Sequence, residues 1–205
     1  MKIPLGEERG EMKRICLIIL LLMATAVVGC GGIRFSQETP EAKDFHPRGI
    51  AVLPVGSAFP QETTEAAEKV LAEVVADRDW FARVVSSGDV RKIMSSSGEA
   101  KKILTDYLDK VKSVNFSDPD LSRKMGELLQ VDAFLICDID LWNYNITGVN
   151  KSAHVGMSMK LIEAGTGTVM WKAVHNEAKE YRFFKPNLSS MGKSLAQRMI
   201  RRMPH

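Results

Sequence analysis

Hydrophobic positions along this chain change their period several times, and each change predicts an element. Ile15–Val28 has no period at all. It is a run of 14 uncharged residues that follows Lys13 and Arg14 and ends in Val27-Val28-Gly29-Cys30. Gly31–Pro47 has glycine, proline and charge but no apolar stripe, so it reads as a tether of about 55 Å when fully extended. Gly49–Val55 is a short apolar run with Pro54 near its end, which predicts a strand covered on both faces. Between Glu62 and Trp80 the spacing becomes helical, with Ala66, Val70, Leu71, Val74 and Val75 on one stripe. Phe81–Val85 predicts the next strand. Strand, helix and strand at this spacing predict a βαβ crossover with a parallel pair.

Residues 87–130 read as a helical insert. Asp89–Met94 is a short piece stopped by the Ser95–Gly98 cluster. Glu99–Val111 gathers Ile103, Leu104, Tyr107, Leu108 and Val111 on one face. Asp118-Pro119 is a helix start, with an acceptor at the cap and a fixed φ at the first helical position. Leu121, Met125, Leu128 and Leu129 form its stripe. Three long β segments follow. Ala133–Ile146 places Leu135, Cys137, Ile139 and Leu141 on one face and Asp138, Asp140, Trp142 and Tyr144 on the other. Ser152–Ala164 and Thr168–Tyr181 alternate as well, joined by the Gly165-Thr166-Gly167 turn. Strict alternation predicts one covered and one wet face. Asn187 caps a last helix with Leu188, Met191, Leu195 and Met199 on its apolar side. The fold class is therefore α/β: a mixed sheet of about five strands, comprising one βαβ unit, a helical insert and an antiparallel meander, with a C-terminal helix. The domain layout is 1–29 as signal peptide, 30–47 as lipidated cysteine and flexible tether, and 48–205 as a single α/β domain.

The first segment changes the picture most. A basic n-region, a short apolar core and a small residue before the cut make a secretory signal. The run is shorter than the roughly 20 residues that a spanning helix needs. Glu7, Glu8 and Glu11 suit an n-region poorly, so Met12 makes the better start. Gly29-Cys30 resembles the cleavage and lipidation site of bacterial lipoproteins, in which the thiol takes a diacylglyceryl group and the new amine is acylated, with palmitate or a similar chain. Each buried CH₂ contributes about 0.8 kcal/mol, and more than one chain turns reversible attachment into stable anchoring. Gly31 and Gly32, rather than an aspartate, follow the cysteine and lean toward the outer membrane.

Charge and cysteine count exclude several classes. The whole chain carries 28 basic and 25 acidic side chains, and it stays nearly balanced once residues 1–29 are removed. That gives no argument for nucleic acid. Cys16 leaves with the signal and Cys30 carries lipid, so Cys137 is alone and no intramolecular disulfide forms.

Three stretches, Arg48–Val55, Met125–Leu135 and Leu161–Trp171, resemble in order the TolB-amino-terminal-like α/β domain of bacterial envelope lipoproteins. That group includes CsgG, LpoB and lipoproteins related to a neisserial surface antigen. Glu163 and Ala164 stand where its hairpin more often has Asp. The resemblance implies a role in envelope assembly or secretion and no catalytic residues. It does not reach the pore-forming strands of CsgG, so it implies no channel.

Candidate chemistry is sparse. Asp138 and Asp140 share a predicted face, yet no base, nucleophile or glycine loop accompanies them, and a solvated strand face accounts for both. The hairpin register sets His154 opposite Ala178 and His175 opposite Met157, so with Glu177 the histidines do not converge as metal ligands. No metal and no cofactor are expected. Cys137 alternates with Leu135 and Ile139, as a buried apolar residue does. Trp142 and Tyr144 either pack under the helical insert or form a partner surface. The arginines at 198, 201 and 202 suit the negative end of the last helix. The chain reads as a periplasm-facing lipoprotein of the outer membrane. It acts as an accessory factor in envelope assembly, secretion or transport through contacts with envelope proteins or copies of itself. The alternatives are a small-ligand-binding envelope protein and, behind it, a hydrolase built on Asp138 and Asp140.

Overall fold

Chain order in the computed structural model, which describes residues 33–56, 59–113 and 117–205, opens on a strand that periodicity did not predict. Phe35–Glu38 (β1) lies at a sheet edge, antiparallel to Val169–Glu180 (β6), with Phe35 opposite Val174 and Glu38 opposite Trp171. Only four residues long and mostly exposed, it offers no apolar alternation to read. Its partners are backbone groups and the buried indole of Trp171, whose Nε1 donates to Ser36 Oγ at 3.0 Å. A 3-10 turn over Pro40–Asp44 then buries Ala42 and leads to the buried Phe45. Most of the stretch expected as tether is thus part of the domain. The sheet has six strands for the same reason.

Gly49–Val52 (β2) is buried throughout, as its continuous apolar run requires. Gln61–Ala76 (α1) crosses to Arg83–Val85 (β3), which pairs parallel to β2. The insert contains Ser87–Met94 (α2), Gly98–Ser113 (α3) and Pro119–Leu129 (α4). Asp118 caps α4 by accepting from the amides of Asp120 and Leu121, both at 3.1 Å. The meander is Ala133–Thr147 (β4), Asn150–Glu163 (β5) and β6, and Leu188–Ile200 (α5) closes the chain. Strand order is β1-β6-β5-β4-β2-β3.

Each sheet face has its own core. One carries Ile50, Val52, Leu135, Cys137 and Trp171 and is covered by α1 and α5 through Leu71, Val74, Leu195 and Met199. The other carries Ala51, Leu53, Phe134 and Ile136 and is covered by the insert through Val90, Tyr107, Met125 and Leu129. The insert covers this second face near β2, the end of β3, the start of β4 and the end of β5, where Ile162 and Ala164 are buried in the same cluster. The α4 stripe is rotated from the predicted one. Leu128 is 42% exposed, and Ser122 and Gly126 lie inside, because small residues let α4 approach the β5–β6 turn closely: a Cβ on Gly126 would stand 2.8 Å from that of Ala164.

A bulge in β4 corrects the predicted faces. Ile139 pairs with Met157 but Leu141 pairs with Gly156, so Asp140 is the extra residue. One inserted residue exchanges the two faces beyond it. Leu141 moves to the insert side. Trp142 and Tyr144 move to the α5 side, away from the insert under which they were expected.

Candidate functional site

The aromatic pair shows what the bulge does. Trp142 is 9% exposed and packs between β5 and α5, where Gly192 leaves room for its six-membered ring. Tyr144 donates its hydroxyl to Pro186 O at 2.6 Å, its ring meets that of Tyr181 edge-on at 6.1 Å, and Lys185 Nζ sits 3.7 Å from its centroid. Both side chains are occupied within the domain, fastening the loop before α5. They do not form an open patch for a partner.

The carboxylates stay on the other side. Asp140 is exposed at the bulge, and Ser158 Oγ donates to it at 3.3 Å. Burial is the first cause that raises its pKa; the Ser158 hydrogen bond opposes this and the Asp138 charge adds to it. Ser158 lies on a strand with no imidazole bonded to it among the described residues, since His154 bonds Ser152 and His175 bonds the Arg34 amide. The hairpin register holds as predicted: His154 faces Ala178 and His175 faces Met157. His154 is bonded to Ser152 Oγ through Nε2 at 2.8 Å, and Glu177 pairs with Arg198 on α5. Among the described residues no three histidine, cysteine or acidic side chains are placed to hold a metal. Cys137 is buried, and burial pushes its thiol pKa well up, the opposite of what a nucleophile needs. Gly29 and Cys30 lie outside the described residues.

The segments that carry the family resemblance are structural. Asp132 Oδ2 accepts from the amides of Arg48 and Gly49 at 2.8 and 2.9 Å, clamping the start of β2 against that of β4. Gln130 takes a left-handed φ of 54° to turn the chain out of α4. Glu163 accepts from the Thr166 hydroxyl, and Gly167, at φ 73°, lies against Ser117 and Pro119. The depression beside this corner, about 430 Å³, is lined by Gly126, Gln130, Asp132 and Glu163. A second of about 470 Å³ is lined mainly by Asp106, Asp109, Lys110, Asp118 and Asp120. The second, with its charged lining, differs from the mostly apolar clefts that hold small molecules.

One surface escaped the sequence reading. At the end of the meander, Ile146 and Val149 project from the β4–β5 turn at 64% and 91% exposure, and Phe183 and Phe184 from the loop after β6 at 91% each. The two segments adjoin: Ser152 pairs with Glu180, and the amide of Tyr181 donates to Lys151 O at 2.9 Å. Two adjacent phenylalanines in a loop bounded by Arg182 and Lys185, outside any periodic element, were the available signal.

No protein-family model and no curated protein matches the sequence. Solved structures do. The chain is similar to the PelC dodecamer of Paraburkholderia phytofirmans, with a TM-score of 0.52 and 16% identity over 83% of this chain and 97% of that one. It is also similar to lipoprotein GNA1162 of Neisseria meningitidis (TM-score 0.46, 12% identity, 75% and 97% covered). The LpoB C-terminal domain of Salmonella enterica is a further neighbour (0.34, 12%, 66% and 82%). At such identities the likeness concerns the fold alone.

Proposed function

We propose that this protein is an outer-membrane lipoprotein, cut between Gly29 and Cys30 and lipidated on Cys30, whose domain faces the periplasm. It serves there as an accessory factor in envelope assembly, secretion or transport, working through protein contacts. The observation that carries this reading is the tetrapeptide Val27-Val28-Gly29-Cys30 after a charged start and a short apolar run, joined to a domain with an envelope-lipoprotein fold. The buried thiol of Cys137 and the charged depression at Asp106, Lys110 and Asp118 favour contacts over chemistry. PelC is a dodecamer, which supports a reading in which copies of this chain also assemble.

Mass spectrometry of the mature amino-terminal peptide tests the anchor. A peptide beginning at an acylated Cys30 is expected, and a free thiol there contradicts it. Crosslinking in intact cells tests the contacts. Adducts to envelope proteins or to further copies are expected, and a chain that stays monomeric and uncrosslinked contradicts the accessory role.

A further inference from the structure

The direction of β1 bears on the exposed meander end. Backward from Phe35, β1 runs toward the Glu180 end of β6, because the two strands are antiparallel. Two more steps of the same register set Ile33 level with Asn176, and the Arg34 amide donates to His175 Nδ1 at 3.2 Å. From that level to Glu180 is four residues, about 13 Å of strand. Only Gly31 and Gly32 separate Cys30 from Ile33, a reach of about 11 Å at most. Chain length alone would therefore hold a lipid on Cys30 within about 11 Å of Ile33, on a link too short to be a long tether.

The chemistry of that end matches a bilayer surface. Val149, Phe183 and Phe184 are about nine-tenths exposed and Ile146 64%, an arrangement that marks an interaction site. Lys151 and Arg182 line one depression with Val149 and Glu180, Lys179 and Lys185 lie in the adjoining segments, and Glu180 is the single acid of residues 146–152 and 178–186. Aromatic side chains that enter the headgroup boundary, flanked by cations, are what binds an anionic lipid interface.

Resting on the lipidation of Cys30, we propose that this end of the meander docks on the membrane that holds the anchor. Phe183, Phe184 and Val149 enter the interfacial layer, and Lys151, Lys179 and Arg182 face anionic headgroups. The domain is then held flush with the bilayer in one orientation.

The test uses the mature lipidated chain in vesicles of phosphatidylethanolamine and phosphatidylglycerol. Phe183→Cys and, separately, Val149→Cys carry an environment-sensitive fluorophore; Lys101→Cys, exposed on α3, is the reference. Cys137 is buried and does not label. Doxyl lipids are expected to remove more than half of the emission at 183 and 149 and almost none at 101. Exchanging phosphatidylglycerol for phosphatidylcholine is expected to weaken the effect. If the peptide mass shows acylated Cys30 but 183 and 149 behave as 101 does, the docking is overturned and the anchor stands. If Cys30 is unmodified, the anchor fails and the docking with it. Protection of 183 in intact cells without quenching by doxyl lipids overturns the lipid surface in favour of a protein partner.

Discussion

Gly192 and Trp142 set the tolerance of the α5 contact. A Cβ at position 192 would meet the indole at 2.5 and 2.7 Å, both ring carbons of a buried side chain. Gly192→Ala is expected to destabilise the domain by about 1–3 kcal/mol, read from denaturant midpoints, and an unchanged midpoint would contradict the packing. Cys137 gives a pH dependence. Burial, with the Asp138 and Asp140 charges behind it, pushes the thiol well above its ordinary 9.0, and burial raises Tyr107 from 10.0 against hydrogen bonds from Ser117 and Ser122. Above 9 the unfolded chain releases protons that the native state keeps, so stability falls as pH rises. Urea midpoints should therefore decline between about pH 8 and about pH 11, and Cys137→Ala should remove the earlier part of the decline. A flat profile would contradict the burial. Glu68 shows what residue patterns leave hidden. It is 4% exposed, accepting from Val55 N and Ser87 Oγ at 3.0 Å and pairing with Arg91. Apolar spacing finds the inward side of α1; it does not say which charge follows that side in, because Glu68's partners come from a loop and another helix.

Elements were legible where one period ran uninterrupted. The capped start of α4, the crossover to β3 and the hairpin register of β5 and β6 all follow from spacing and turn chemistry. The bulge at Asp140 was not legible, since alternation continues on either side of it and one extra residue exchanges the faces silently. Edge strand β1 was not legible because its stability comes from backbone pairing and from Trp171, more than 130 residues away. His175 makes that strand sensitive to acid. Burial first and the Arg198 charge second hold the imidazole below its usual 6.5, with Glu177 opposing, and its Nδ1 accepts from the Arg34 amide. A folded pKa below the unfolded one means that the contribution is present above about 6.5 and is lost as pH falls. Hydrogen-exchange protection at Arg34 is expected to drop between about pH 7 and about pH 5 relative to β5, and to lose that dependence in His175→Phe. Equal protection at both pH values would contradict the contact.

For the whole molecule, the α/β class was readable because the strand and corner motifs answer backbone requirements. The Asp132 clamp and the Gly126–Ala164 approach are such requirements. The candidate surface was not readable, because it joins a turn and a loop more than 30 residues apart that only the β5–β6 pairing brings together. Drawing residues 35–45 into the domain shortens the link between the domain and the proposed anchor at Cys30. Fractionation of cells that carry Cys30→Ser tests this account most directly. The unlipidated chain is expected in the soluble envelope fraction or released from membranes by salt, while the unaltered chain stays with the membranes through the same wash. A Cys30→Ser chain that still pellets with membranes and resists salt would contradict it.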